Sequence, residues 1–576
     1  MKQEIKVVTR PPVVSAPPAT ARWIVRHWER LLIGAILLVT GLAHGINMFN
    51  FPYIENDEGV YTSQAWAILR EGQLAPYTYW YDHAPAGWIL IAAWALLTGG
   101  FHTFGATAAS GRVLMLVLNI ASSALLYGIA RTVSRHAWVA TFAVLLFSLP
   151  AYSVYFERRV LLDNIATFWV LLSLYLLIAG RFTLTRVWAS ALTFGIAVLS
   201  KENAVFLLPA LIILTYWRAD RSHRRFAVAG WVTLVGSVVS LYFLMAVIKG
   251  ELFPTGTLLG GAAPHVSLLG TLSYQASRGK DGGLFALNSA FWSSVRTWGQ
   301  NEPLLVIGGT ICAGLSVLLI KQHRIVGLLG LCSFLLWAFL ARGGIVLGFY
   351  LIPSIPFLAL NVALMLGVLV DYIYAFLTRW QAWGVVRVTA TMGISVVTVA
   401  CLLSLVIGYM SPELSTAEPT HNQATALADA NINPLTPWTN KQAIAQAQAT
   451  QWIEQNVGPN QTVVVDDSYW VDLHATHPHV QWYWKIDLDP AIRDGVLHDD
   501  WRNIDYILVN LQIPTEVQQA RLTLVQEALA HCVVVARFDT GGWPISICKV
   551  MNGRQIAASP SFTLHQADRV SAAKEK

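Results

Sequence analysis

The sequence predicts a polytopic, all-α membrane protein with a small α/β domain at its C-terminal end. Of the 576 residues, 55% are hydrophobic and 12% are charged, whereas soluble proteins carry roughly 25% charged residues. Long apolar segments recur at lengths near the ~20 residues that a helix needs to cross a bilayer. The last part of the chain alternates helical stretches with short apolar strands, which is typical of α/β and α+β domains.

The chain is predicted to have four parts. Residues 1–20 and 556–576 are polar and predict disorder. Residues 21–410 form the membrane module, and residues 411–555 form an extracytoplasmic domain. Three arginines before the first apolar segment are expected to hold the N-terminus in the cytoplasm without a cleavable signal peptide, namely Arg22, Arg26 and Arg30. The net charge of +6 is explained by basic residues between apolar runs, so no nucleic-acid partner is expected.

About eleven membrane spans are predicted. Nine of them lie at roughly 31–50, 110–130, 137–156, 164–180, 226–248, 303–320, 325–341, 345–370 and 388–410. The stretch 187–217 is too long for one span at ~1.5 Å per residue, so its polar Lys201-Glu202-Asn203 is expected to divide it into two. If 86–104 also crossed the membrane, every later basic loop would face outward, against the positive-inside rule. Residues 86–104 are therefore predicted to be a juxtamembrane helix in an outer loop, 51–107.

The loop after the first span combines acidic and aromatic residues. A carboxylate that is partly desolvated at a membrane surface is a stronger base, because burial raises its pKa. Asp57, with Glu58 beside it, therefore suits the removal of a proton from an acceptor hydroxyl or amine. The alternative is that both acids are solvated surface residues. Further residues expected to line an acceptor or sugar pocket are Tyr61, Tyr81, Asp82 and Glu202.

Charged residues that oppose the positive-inside rule are assigned to the same outer face. Arg158 and Arg159 either bind a phosphate while Asp163 orients the site, or anchor a helix end with Asp163 as its N-cap. Lys201 either donates to a lipid phosphate or pairs with Glu202. Other candidates for binding an anionic donor are His83, Arg342 and Tyr350. His83 has the alternative of simply starting the juxtamembrane helix.

These residues, taken in order, resemble the polyprenyl-phosphate-dependent membrane glycosyltransferases of the C-type fold. This family includes the protein O-mannosyltransferases and the lipid A aminoarabinose transferase. The resemblance covers roughly residues 30–410. The matching segments are Asp57-Glu58, His83-Ala84-Pro85-Ala86-Gly87, Arg158 to Asp163, Leu199-Ser200-Lys201-Glu202 and Tyr350-Leu351-Ile352-Pro353.

The resemblance implies that Asp57 is the catalytic base and that Asp163 occupies the family's second acidic position. It also implies that Lys201 and one arginine of the 158–159 pair lie near the phosphate of a polyprenyl-phosphate sugar donor. The His83 segment departs from the Pro-Pro-Leu pattern of the family, which leaves the subfamily open between mannosyl-like and aminoarabinose-like branches.

The expected reaction is an inverting transfer at the outer face of a cell membrane, to a protein, lipid or glycan acceptor. No obligatory metal is expected, although two carboxylates could bind a divalent cation. The alternatives are a multi-span transporter or flippase, whose signature would be inverted repeats with paired broken helices, and a non-catalytic sensor. The sequence shows one broken stretch.

The C-terminal domain is predicted to contain a helix at 440–457 and one at 514–530, with four strands. The strands lie at Thr462 to Val465, Asp505 to Val509, Cys532 to Phe538 and Ile545 to Val550. Cys532 and Cys548 fall on the last two strands, where they form a disulfide or remain free thiols.

Overall fold

The computed structural model describes residues 19–277, 281–379, 436–540 and 542–551. The predicted span at 388–410 and both predicted disordered ends lie outside these residues, apart from Ala19 and Thr20. The helices of the membrane module are α1 (Ala19–Gly45), α2 (Asn56–Arg70), α3 (Ala86–Thr98), α4 (Thr107–Ser134), α5 (Ala137–Ser148), α6 (Ala151–Glu157), α7 (Leu162–Ile178), α8 (Leu184–Ser200), α9 (Leu208–Arg218), α10 (Arg224–Ile248), α11 (Leu268–Ser277), α12 (Ala290–Asn301), α13 (Gly309–Leu318), α14 (Arg324–Ala341) and α15 (Ile355–Arg379). Short 3₁₀ or π segments cover Glu202–Leu207, Gly283–Phe285, Leu304–Gly308 and Gly348–Ser354.

Within the described residues, five helices are long and apolar enough to cross a membrane. They are His27–Gly45, Thr107–Ser134, Arg224–Ile248, Arg324–Ala341 and Gly348–Phe376. The number rises to seven if each of two bent helix pairs forms one span. A helical membrane module is therefore confirmed, whereas the predicted count of about eleven spans is not.

Three breaks interrupt the apolar helices. The expected one follows Ser200, where α8 ends and a 3₁₀ segment leads into α9. The other two were not predicted: α5 and α6 meet at 64°, and α12 meets the segment 304–318 at 114°. Pro150 and Pro303 stand at these two bends. Proline removes a backbone donor and clashes with the preceding turn, so a helix breaks there.

The outer loop between α1 and α4 folds into two helices, α2 and α3. Helix α3 contains 13 residues, which is short of the ~20 needed to span a bilayer. This length agrees with the predicted juxtamembrane helix, although the helix ends at Thr98 instead of residue 104.

The C-terminal domain is a five-stranded mixed sheet with helices around it. Its strands are β1 (Val463–Val465), β2 (Val480–Trp482), β3 (Tyr506–Val509), β4 (Cys532–Thr540) and β5 (Trp543–Val550), in the order β2-β1-β3-β5-β4. Its helices are α16 (Thr436–Thr439), α17 (Gln442–Asn456), α18 (Asp467–His474), α19 (Tyr483–Leu488), α20 (Pro490–Arg493), α21 (Ile513–Ala520) and α22 (Thr523–Ala530), with a 3₁₀ turn at Trp501–Asn503. Strands β1, β2 and β3 are parallel, and β5 pairs antiparallel with β3 and β4.

The predicted α/β domain is therefore present, with two differences. The segment 467–493, which was not assigned, supplies α18, β2, α19 and α20. The single helix expected at 514–530 is divided at Arg521, whose φ of 56° ends α21. Cys532 and Cys548 are both buried, and both are free thiols in this structure.

The C-terminal domain packs directly on α2. Gly59 lies against the backbone at the start of α18, so closely that a Cβ there would stand 2.1 Å from the backbone nitrogen of Ser468. The Tyr53 ring stacks on Trp543 with centroids 3.6 Å apart, and Trp66 meets Trp470 edge-on at 5.3 Å. The helix that carries Asp57 is thus held between the membrane module and the C-terminal domain.

Candidate active site

Helix α2 begins beside the end of the first span and positions Asp57 in its first turn. Glu55 is the N-cap, and it forms a reciprocal capping box with Glu58. Such a box satisfies two backbone donors that the helix start would otherwise leave unpaired. The start of α2 is therefore well fixed, and Asp57 with it.

Glu58 does not face the candidate site. Its side chain is fully buried and makes a bidentate ion pair with Arg112, with contacts of 2.8 and 3.1 Å. It also accepts a hydrogen bond from the backbone N–H of Val160. Arg112 in turn donates to carbonyl groups of the loop before α2. With all its lone pairs committed, Glu58 supports the loop and is not placed to act as a base.

Arg158 and Arg159 are likewise buried in the scaffold. Arg158 donates to the carbonyl groups of Ala43 and Ile46 at the end of the first span. Arg159 donates to Glu55 at 2.5 Å and lies over the ring of Tyr155, 4.3 Å from its centroid. Both guanidinium groups have protein partners and are 2% exposed or less. The structure thus favours the anchoring alternative for this pair over phosphate binding.

Asp163 and Lys201 do meet. The Lys201 ammonium lies 3.5 Å from Asp163 Oδ2, and Asn203 Nδ2 donates to Asp163 Oδ1 at 3.1 Å. These contacts are made at the break after α8, where the backbone of Lys201 is extended and a 3₁₀ segment that carries Asn203 follows. Lys201 is 5% exposed and Asp163 is fully buried.

His83 completes this group of charges. Its Nε2 lies 3.1 Å from Lys201 Nζ, and its Nδ1 lies 3.0 Å from Glu202 Oε2. Because an ammonium group only donates hydrogen bonds, Nε2 accepts from Lys201. The ring proton is then on Nδ1, and this N–H donates a hydrogen bond to Glu202. Glu202 also accepts from the backbone N–H of Ala84 at 2.7 Å. Glu202 therefore orients His83, a positioning role that differs from its predicted place in a sugar pocket.

The environment of Asp57 is that of a base. Burial raises its pKa above the ordinary 3.8, while the charges of Lys201 and His83 oppose this rise. Tyr61, one helical turn further on, points its hydroxyl at Asp57 Oδ2, 3.4 Å away. Burial also raises the pKa of Tyr61, so it remains a neutral donor. The pair offers a desolvated carboxylate with a hydroxyl beside it.

Aromatic rings surround the Lys201 ammonium. Tyr61, Phe349 and Tyr350 have their ring centroids 5.9–6.0 Å from Nζ. Tyr350 comes from the 3₁₀ segment Gly348–Ser354. Arg342 lies over the ring of Phe339 at 4.4 Å, and that ring is 6.0 Å from Tyr350. The rings of Phe339 and Tyr350 therefore separate Arg342 from Lys201.

Tyr81 and Asp82 immediately precede His83 in the chain. Tyr81 is buried and donates its hydroxyl to Glu251 at 2.6 Å, and Lys249 pairs with the same carboxylate at 2.7 Å. Asp82 adds negative charge near Asp57.

The sequence analysis missed functional candidates on the C-terminal domain. Asp466 and Asp467 follow β1 directly, and Ser63 of α2 donates to Asp467 Oδ2 at 2.8 Å. Lys485, which is 5% exposed, lies over the ring of Trp80 at 3.5 Å. In the sequence, the Asp466-Asp467 pair directly after a predicted strand could have indicated these candidates. Among the described residues no group of three or more His, Cys, Asp and Glu side chains could hold a metal ion.

Comparison with known proteins shows which families and folds this chain is similar to. Residues 82–249 match the family model of the dolichyl-phosphate-mannose-protein mannosyltransferases. ArnT from Cupriavidus metallidurans bound to undecaprenyl phosphate is similar in structure, with a TM-score of 0.53 and 15% identity over 94% of this chain and 100% of that one. The comparison with curated proteins gives no match.

A second similar structure is the oligosaccharyltransferase AglB from Archaeoglobus fulgidus in complex with an inhibitory peptide and a dolichol-phosphate. It gives a TM-score of 0.52 and 12% identity over 94% of this chain and 76% of that one. The resemblance predicted from the sequence is confirmed. The chain is a membrane protein with the C-type fold of polyprenyl-phosphate-dependent glycosyltransferases.

Proposed function

We propose that the protein transfers a sugar from a polyprenyl-phosphate donor to an acceptor at the outer face of a cell membrane. The observation that carries the proposal is the contact between Lys201 and His83, near enough to Asp57 for the charges of both to act on its pKa. A carboxylate, an ammonium group that can donate to an anion and an imidazole are thus brought together. This set of groups suits displacement of a phosphate leaving group by a deprotonated nucleophile.

The donor phosphate would be held by Lys201, and by His83 once Nε2 is protonated and donates to the phosphate instead of accepting from Lys201. Lys201 is a charged donor in a nearly water-free position, where hydrogen bonds to an anion are strong. The N-terminus of the 3₁₀ segment at Glu202 lies beside it, and Tyr350 stands nearby as a further hydroxyl donor. Arg158 and Arg159 take no part in this scheme, because their guanidinium groups are used within the scaffold.

The reaction would be a single displacement. Asp57 accepts the proton of the acceptor hydroxyl or amine, the acceptor oxygen or nitrogen forms a bond to the anomeric carbon, and the bond from that carbon to the phosphate oxygen breaks. The polyprenyl phosphate leaves with the electron pair, and the anomeric centre is inverted. Phosphate paired with cations is already a competent leaving group, so the protein contributes positioning and charge compensation. Asp163 holds the Lys201 ammonium in place throughout.

The proposal is tested with the purified full-length protein and radiolabelled hexoses or aminopentoses linked to undecaprenyl or dolichyl phosphate. We expect release of polyprenyl phosphate together with a product of inverted anomeric configuration. The variant Lys201→Met should lose most of this activity through a raised KM for the donor. Lys321→Met, at an exposed lysine outside the site, is the matched control. A product of retained configuration, or a Lys201→Met enzyme that matches the control, would refute the scheme.

A further inference from the structure

The C-terminal sheet has a topological switch point at the carboxyl ends of its parallel strands. Its three parallel strands lie in the order β2-β1-β3. The chain therefore adds β2 on one side of β1 and then β3 on the other side. In open α/β sheets, ligands bind outside the carboxyl ends of the strands at such a switch point. Here that point lies between the ends of β1 and β3. Asp466 follows β1 and Asn510 follows β3, and Asn510 Nδ2 donates to Asp466 Oδ2 at 3.3 Å.

This edge faces the loop that carries Asp57. The backbone at the start of α18 packs on Gly59, and Asp467 accepts from Ser63. At the end of β2, the Trp482 backbone N–H donates to the hydroxyl of Tyr77 at 3.1 Å. The strand ends of the C-terminal domain therefore contact α2 and the residues that lead to His83.

The groups along this edge carry negative charge and aromatic surface. Tyr483 and Trp484 both donate to Glu516, the latter at 3.2 Å. Burial raises the pKa of Glu516 to about 7, and the charges of Asp466 and Asp57 add to that rise. The charge of Asp57 likewise contributes to the raised pKa of Asp466, after burial. Asp57 is therefore within electrostatic reach of Lys201 and His83 in the membrane module and of Asp466 and Glu516 in the C-terminal domain.

Two polar atoms on the edge lack a hydrogen-bond partner within the described parts of the chain. They are the acceptor Oδ1 of Asp467, a residue 2% exposed, and the donor Nε1 of Trp482. A buried polar atom without a partner is costly, so such atoms mark a place where a ligand or water completes the bonding. A hydroxyl group both donates and accepts, and can therefore satisfy either atom.

We propose that the carboxyl edge of the C-terminal sheet is the acceptor subsite, and that it takes the hydroxyl groups of a neutral glycan. Carboxylates and an indole N–H bind hydroxyls, while the rings of Trp482 and Trp484 supply flat apolar surface for a sugar face. The carboxyl groups of Asp466, Asp467 and Glu516 are suited to bind hydroxyls and do not pair with a phosphate. This inference rests on the proposed function, since it assigns the acceptor of the same reaction.

The test uses the full-length protein with a polyprenyl-phosphate hexose that it accepts. Three acceptors are compared with hydrolysis of the donor by water: a neutral oligosaccharide, a serine- and threonine-containing peptide, and a lipid with a phosphate monoester. We expect the neutral oligosaccharide to be preferred. Glu516→Gln should raise the KM for it about tenfold, the loss of one charged hydrogen bond, and should lower the ratio of transfer to donor hydrolysis. Glu527→Gln, at an exposed glutamate of α22, is the matched control.

Trp484→Phe is the second variant in case Glu516→Gln does not fold. It removes the N–H that holds Glu516 while keeping an aromatic ring, and it should raise the same KM. An unchanged KM in the folded variant, or a preference for the peptide or the phosphorylated lipid, overturns the subsite while the proposed function stands. A wild-type protein that neither hydrolyses nor transfers any polyprenyl-phosphate sugar overturns the proposed function, and the subsite with it.

Discussion

Gly59→Ala tests how tightly the site depends on the docking of the C-terminal domain. A Cβ at position 59 would lie 2.1 Å from the Ser468 nitrogen and 2.3 Å from the Asp467 carbonyl carbon. Both neighbours are backbone atoms, which cannot rotate away as a flexible side chain would. Real Cβ atoms essentially never approach other atoms closer than 3.0 Å. Helices α2 and α18 would therefore have to separate by about 1 Å. A misplacement of catalytic groups by that distance lowers a reaction rate about 10²-fold.

We therefore expect Gly59→Ala to lower sugar transfer by about 10²-fold, because Asp57 is two residues away on the same helix. Overpacking of this kind also costs about 1–3 kcal/mol in stability. The assay compares initial transfer rates of purified variants and their sensitivity to limited proteolysis between the two modules. Gly236→Ala is the matched control, since nothing lies within 4 Å of a Cβ at that helical position. Transfer by Gly59→Ala within twofold of the control would refute the idea that a fixed interface positions Asp57.

Three further predictions concern the charges. Since Asp57 must be deprotonated to act and burial raises its pKa above 3.8, kcat/KM should fall as the pH drops through that raised value; a pH–rate profile whose acid limb remains below 4 would contradict this. Arg112→Leu breaks the buried ion pair and leaves the Glu58 charge without its partner, so it should lower the free energy of unfolding by about 3–5 kcal/mol. The measurement is thermal unfolding in detergent, and the control is Arg135→Leu at an exposed helix end. Glu202→Gln should weaken the orientation of His83 and raise the donor KM more than it lowers kcat, so a purely kcat effect would argue for a different role.

Several parts of the architecture could be predicted because the bilayer makes strong demands on sequence. A charged triplet inside an apolar run has few ways to be accommodated, so the break at Lys201 followed from its length and polarity. The juxtamembrane α3 followed from the distribution of basic loops. The bends at Pro150 and Pro303 were within reach of the same reasoning, since proline ends helices, but their angles are decided by packing.

The site itself was only partly predictable. His83 and Lys201 are in contact, whereas Arg158, a candidate for phosphate binding, donates to backbone carbonyl groups instead. A sequence pattern indicates that a buried arginine needs a partner and does not say which one. The C-terminal contribution was missed for a related reason. Asp466 and Glu516 acquire their significance from docking against α2, a tertiary contact between residues some 400 positions apart in the chain.

The central claim is that Asp57 is the base of a transfer from a polyprenyl-phosphate sugar. The most direct measurement is the transfer rate of Asp57→Asn with saturating donor, together with its affinity for polyprenyl phosphate. Removal of a general base lowers rates by about 10²–10⁴-fold, and we expect a loss in this range. Because Asn keeps the size of the side chain, binding of polyprenyl phosphate at Lys201 and His83 should persist. Undiminished transfer by Asp57→Asn would contradict the account.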